Sequence, residues 1–105
     1  IYPYATISNA AVLEDFVHLS LYASVGHDSQ VGQFSLLSPY ATLNGFANIE
    51  DDVFMGTHSM LGPGCEIGCQ SKVCANTAVL HNVPARSFVY GVPGRHTRRL
   101  DVGDD

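Results

Sequence analysis

The sequence predicts an all-β protein, a parallel β-solenoid in which each six-residue unit is one short strand and one turn. Two observations carry this reading. Every sixth residue from Ile7 to Val79 is aliphatic, through Leu13, Leu19, Val25, Val31, Leu37, Leu43, Ile49, Met55, Leu61, Ile67 and Val73. Four positions after each stands a small or β-branched residue, as in Ala11, Val17, Ala23, Ser29, Ser35, Ala41 and Ala47. An amphipathic helix would repeat its apolar face at three and four residues, so a strict period of six excludes it. Stacked coils satisfy the pattern, because each buries the same side-chain types as the coil below.

The elements follow from this period. Ile1 and Ala5 extend it backwards, and the unbroken phase runs from Ile1 to Pro84 with no inserted loop. The second position of the unit is often small, as in Gly26, Gly32, Gly56, Gly62 and Gly68, which suits a corner. After Pro84 the period fails. The predicted domain is 1–94, followed by a polar tail at 95–105.

Composition narrows the function. The chain of 105 residues is long enough for one modest domain, and its 46% apolar content supports a folded core. A formal charge of −5 gives no general attraction to nucleic acid or anionic lipid. Three cysteines, Cys65, Cys69 and Cys74, lack the spacing of a zinc ribbon or a disulfide framework, which suits reduced thiols in a cytoplasm. No apolar run reaches the length of a membrane-spanning helix.

If three units make one coil of 18 residues, residues 18 apart are stacked about 4.8 Å from each other. His27 then lies directly beside Gly45, placing an imidazole next to an accessible backbone N–H. Direct acyl transfer from a thioester needs that pair: a base for the nucleophile's proton and a donor for the oxyanion. Asp28 is placed to orient the ring and fix its tautomer. The column Tyr4, Tyr22, Tyr40 and His58 reads as an aromatic ladder. His81 shares the column of His27 but lies three coils away, roughly 14 Å, too far to cooperate with it. Cys65 falls at an inward position and is read as core.

The hexads, the segment Val25-Gly26-His27-Asp28-Ser29-Gln30-Val31-Gly32, the stretch Ser38 to Gly45 and the closing Gly91-Val92-Pro93 resemble the left-handed hexapeptide-repeat acyltransferases. The similarity is to the branch that acetylates bacterial surface sugars, including UDP-4-amino-sugar N-acetyltransferases and sialic acid O-acetyltransferases. That resemblance implies a left-handed coil, acetyl-CoA as co-substrate, a sugar or nucleotide-sugar acceptor, and a homotrimer with its sites between neighbours. It implies His27 as general base, Gly45 as oxyanion donor, and an acetyl-CoA groove past Leu36, Thr57 and Ala75. Leu36 departs from the pattern, since a relative carries histidine there. Arg95, His96, Arg98 and Arg99 have the chemistry to meet CoA phosphates, or are simply solvated. Relatives usually carry an N-terminal Rossmann-like domain for the nucleotide sugar.

Two other classes share features of this pattern. A γ-class carbonic anhydrase shares the solenoid but needs three zinc-binding histidines, two at close spacing, which His18, His27, His58, His81 and His96 do not supply. No metal is expected. A non-catalytic scaffold solenoid would show a regular outward row of Thr or Ser, which the sequence lacks.

Overall fold

The structure, a computed structural model, describes residues 1–99. The hexad pattern produces two-residue strands at six-residue intervals, β1 (Thr6–Ile7) through β13 (Ala78–Val79), followed by β14 (Ser87–Tyr90) and β15 (Arg95–Arg98). Every third strand pairs in parallel with an offset of 18, as in Thr6↔Ser24 and Val25↔Leu43. Three sheets result. The first runs β1-β4-β7-β10-β13, the second β2-β5-β8-β11, and the third begins β3-β6-β9-β12-β14. The described residues contain no helix, and the chain is a left-handed parallel β-helix of about five turns.

The core is the predicted one. Leu19, Val25, Val31, Leu37, Leu43, Met55, Leu61, Ile67, Val73 and Val79 are buried along one inward position, and Ala23, Ala41, Ala47 and Val53 along the other. Serines at the second position are tolerated because they donate inward to backbone carbonyls. Ser29 Oγ reaches Asn44 O at 2.8 Å, and Ser35 Oγ reaches Glu50 O at 2.9 Å. The first coil is less covered, with Ile7 at 42% exposure although it occupies an inward position.

Corners are built differently from the sequence expectation. The left-handed backbone falls two residues after the glycine-rich position, on Tyr22, Asp28, Phe34, Tyr40, Phe46, Asp52 and His58, with φ between 58 and 65°. Side chains rarely adopt it, at a cost of about 1–2 kcal/mol each. The compensation is visible in the backbone: from Asp28 onward each turns its N–H onto a carbonyl of the previous coil, as in Phe46 N to His27 O at 2.9 Å and His58 N to Pro39 O at 3.2 Å. The glycines have another reason. A Cβ on Gly32 would lie 2.4 Å from the Glu50 carbonyl carbon, and one on Gly68 2.4 Å from Ala85 N. They permit close approach of successive coils.

The period also ends earlier than Pro84. Val79 still pairs 18 residues back with Leu61, but Val83 bridges Ile67 and Phe88 pairs with Lys72, both at 16. Two residues are dropped between Val79 and Val83. Val83 therefore takes an inward strand position, 4% exposed, and Val89 closes the core above Val73. The segment from 95 starts as a strand, β15, antiparallel to β14, with His96 Nδ1 3.3 Å from His81 Nε2. Residues 100–105 of the expected polar tail lie outside the described residues.

Candidate functional site

The corner after the first sheet holds the chemistry. His27 follows β4 (Ser24–Val25), and Gly45 follows β7 (Thr42–Leu43) one coil on. The imidazole lies against Gly45 so closely that a Cβ there would be 2.5 Å from Nε2 and 2.7 Å from Cε1. Asp28 Oδ2 stands 3.1 Å from Nδ1. A carboxylate only accepts, so Nδ1 carries the proton and Nε2 offers its lone pair. The two side chains are 57% and 44% exposed. The predicted trio thus comes together on one open corner.

The fold itself supplies the amide. At the corners from Asp28 onward the left-handed residue sends its N–H along the coil axis, and the N–H of the preceding residue is left out of the ladder. Gly45 N donates to no described residue. On the second sheet's corner two of the equivalent N–H groups have found carboxylates. Gln33 N donates to Asp51 Oδ1 at 3.0 Å, and Cys69 N to Glu50 Oε1 at 3.0 Å. These bonds display what the position does: it is an outward donor that takes a carboxylate oxygen when one is offered.

Thr57 and Ala75 occupy the same position on the corner after the third sheet, both exposed, with Asn76 N bonded to Thr57 O at 2.9 Å. Their N–H groups also donate to no described residue, making two stacked donors. Leu36 sits in β6 (Leu36–Leu37) between His18 and Phe54, half-buried. The structure does not bring these residues to His27. The corners of Thr57 and His27 are separated by the width of the first sheet, six residues or up to about 20 Å.

The aromatic ladder is present: Tyr4, Tyr22, Tyr40 and His58 stack at 5.1, 5.0 and 4.7 Å between centroids. A second stack, Phe16 on Phe34 at 5.0 Å, escaped the sequence reading. So did Phe46, whose ring meets the His27 ring at 5.2 Å and 87°. The 18-residue offset would have found Phe46, since it neighbours Asp28 in that column. A groove of about 500 Å³ runs along the second sheet, lined by Glu14, Gln30, Asn48, Glu50, Asp51 and Glu66 among others. It is carboxylate-rich, and the Glu50 and Asp51 carboxylates already accept from Cys69 N and Gln33 N. It contains no base beside a vacant donor, so the chemistry favours the His27 corner. No group of three or more metal-binding side chains exists among the described residues.

No family model and no curated protein matches the chain. Solved structures do. WeeI from Acinetobacter baumannii AYE is 27% identical with a TM-score of 0.89, covering 92% of this chain and 48% of its own. The serine acetyltransferase of Neisseria gonorrhoeae gives 24% and 0.86, covering 91% and 41%. PerB from Caulobacter crescentus, solved with CoA and GDP-perosamine, gives 24% and 0.77, covering 90% and 55%. The chain therefore spans about half the length of these proteins. In architecture it is a hexapeptide-repeat left-handed β-helix, the fold it shares with these three structures.

Proposed function

We propose that this β-helix is the catalytic unit of an acetyl-CoA-dependent acetyltransferase whose acceptor is an amine or hydroxyl of a sugar or nucleotide sugar. The observation that carries the reading is His27, with Nδ1 held by Asp28 and Nε2 turned toward the vacant N–H corner at Gly45. Nε2 takes the acceptor's proton as the nitrogen or oxygen attacks the thioester carbonyl. The carbonyl electrons move to oxygen, and the Gly45 N–H donates a hydrogen bond to the oxyanion that results. Collapse re-forms the carbonyl and expels CoA thiolate, which recovers the proton from Nε2. No acyl-enzyme is formed.

The pantetheine arm of acetyl-CoA carries amides that match outward backbone donors, and Thr57 and Ala75 offer two in line, with Leu36 as an apolar contact. Because that corner is one sheet away from His27, the two halves of the site come from neighbouring copies, consistent with a homotrimer. An open corner also needs a second surface to exclude water from the thioester. The CoA and GDP-perosamine complex of PerB supports both the co-substrate and the acceptor class.

The test is release of CoA thiol from acetyl-CoA with GDP-perosamine as acceptor, beside calorimetry for acetyl-CoA binding. His27→Ala is expected to bind acetyl-CoA as wild type does and to lose at least ~100-fold in turnover. Wild-type turnover by His27→Ala rejects the base; absence of acetyl-CoA binding by the folded wild-type protein rejects the activity.

A further inference from the structure

Six left-handed corners carry Tyr or Phe, at Tyr4, Phe16, Tyr22, Phe34, Tyr40 and Phe46, and stacking explains all but one of them. The tyrosines and His58 lie face to face within 9°, and Phe16 and Phe34 within 7°. Phe46 has no such partner. Its column neighbours are Asp28 below and Gly64 above, and the ring it meets is that of His27, edge-on. It is 60% exposed and holds φ at 60°, a backbone that phenylalanine adopts reluctantly and that Gly64 adopts in the next coil with nothing around it. A turn requirement would be met better by glycine or asparagine. A ladder requirement is absent.

What remains is the ring itself, bare beside the base. Its face is apolar with a negative quadrupole, which attracts the slightly positive C–H bonds of an apolar surface. The corner around it is poor in charge. All five basic side chains, Lys72, Arg86, Arg95, Arg98 and Arg99, lie at or beyond β12, and Asp28 is occupied by Nδ1. An amino acid acceptor would bring a carboxylate with no cation in this corner to meet it. A pyranose brings a neutral ring with a C–H face.

We infer that Phe46 is the platform on which the acceptor sugar ring lies, C–H face against the phenyl ring, with its amine or hydroxyl presented to His27 Nε2. The inference rests on the acetyltransferase reading and narrows it to ring-bearing acceptors. It is tested on the full chain by ligand-observed NMR, saturating aromatic protons in the presence of methyl 4-amino-4,6-dideoxymannoside. Transfer to the sugar's ring protons is expected in wild type, in Phe46→Tyr and in the ladder variant Tyr22→Ala, and is expected to fall about fivefold or more in Phe46→Ala. Transfer within twofold of wild type in Phe46→Ala overturns the platform, as does absence of transfer in the wild-type protein. Circular dichroism establishes that each variant is folded. Since this readout uses neither acetyl-CoA nor turnover, Phe46-dependent transfer in a protein that releases no CoA removes the acetyltransferase reading and leaves the platform standing.

Discussion

Replacing Gly45 by alanine separates the chemistry of the site from the stability of the fold. Gly45 does not adopt the left-handed backbone, so alanine meets no conformational strain there. Its new methyl would lie 2.5 Å from His27 Nε2, 2.7 Å from Cε1 and 3.1 Å from Cδ2. Ordinary contact needs roughly 3.5 Å, so the imidazole must retreat by about 1 Å. It can, because the side chain is 57% exposed and the obstacle is the far end of a flexible group. Stability should therefore change by less than about 0.5 kcal/mol. A displacement of 1 Å costs about 100-fold in a positioned reaction, or about 2.7 kcal/mol of transition-state stabilisation. Thermal melting and CoA-thiol release, measured on the same preparation, check both halves. A Gly45→Ala protein that turns over within threefold of wild type would refute the claim that the ring beside Gly45 is the base.

Three further outcomes follow from the same contacts. Asp28→Asn keeps a residue suited to the left-handed corner but lets the side chain donate to Nδ1, so kcat should fall about tenfold with an unchanged melting temperature. Gly32→Ala places a methyl 2.4 Å from the Glu50 backbone and should cost about 3 kcal/mol in urea unfolding, whereas Gly64→Ala meets only its φ of +70° and should cost about 1 kcal/mol. Thr77 Oγ1 is buried with no partner among the described residues, so Thr77→Val should raise stability by about 1 kcal/mol in the same assay.

The inward columns were legible because a buried column in a stacked coil has few chemical solutions, and the sequence repeats them from Leu19 to Val79. The His27 and Gly45 pairing was legible for the same reason, since an 18-residue offset is a spatial contact in this fold. The corners were not. Phe46 or Tyr40 at positive φ violates the local preference of its residue type, and the offsetting hydrogen bond runs to another coil, invisible to local reading. Glycine at the second position looked like a turn signal when its role is coil-to-coil clearance. β15 was hidden too, because Arg95-His96-Thr97-Arg98 is exposed throughout and carries no apolar alternation, its order coming from pairing with β14.

The separation of the two corners leads to a prediction that tests assembly and chemistry together. His27 lies after the first sheet, and the Thr57 and Ala75 donors after the third, so a thioester at one copy's His27 is held by a corner of its neighbour under the proposed arrangement. Consider a chain carrying His27→Ala and another carrying Ala75→Trp, which fills the exposed donor corner. Each alone lacks one half of every site. Co-refolded in equal amounts, the chains form sites whose halves are drawn independently, and an intact site needs His27 from one variant beside Ala75 from the other. That combination arises in about a quarter of the interfaces, so about a quarter of wild-type CoA release should return. If base and donors served the same site within one chain, every site in the mixture would still lack one half, and no activity would return at any mixing ratio. Native mass spectrometry on the mixture resolves mixed from unmixed oligomers, because the two substitutions give the chains different masses, which makes a null result with mixed oligomers present decisive against a site shared between copies.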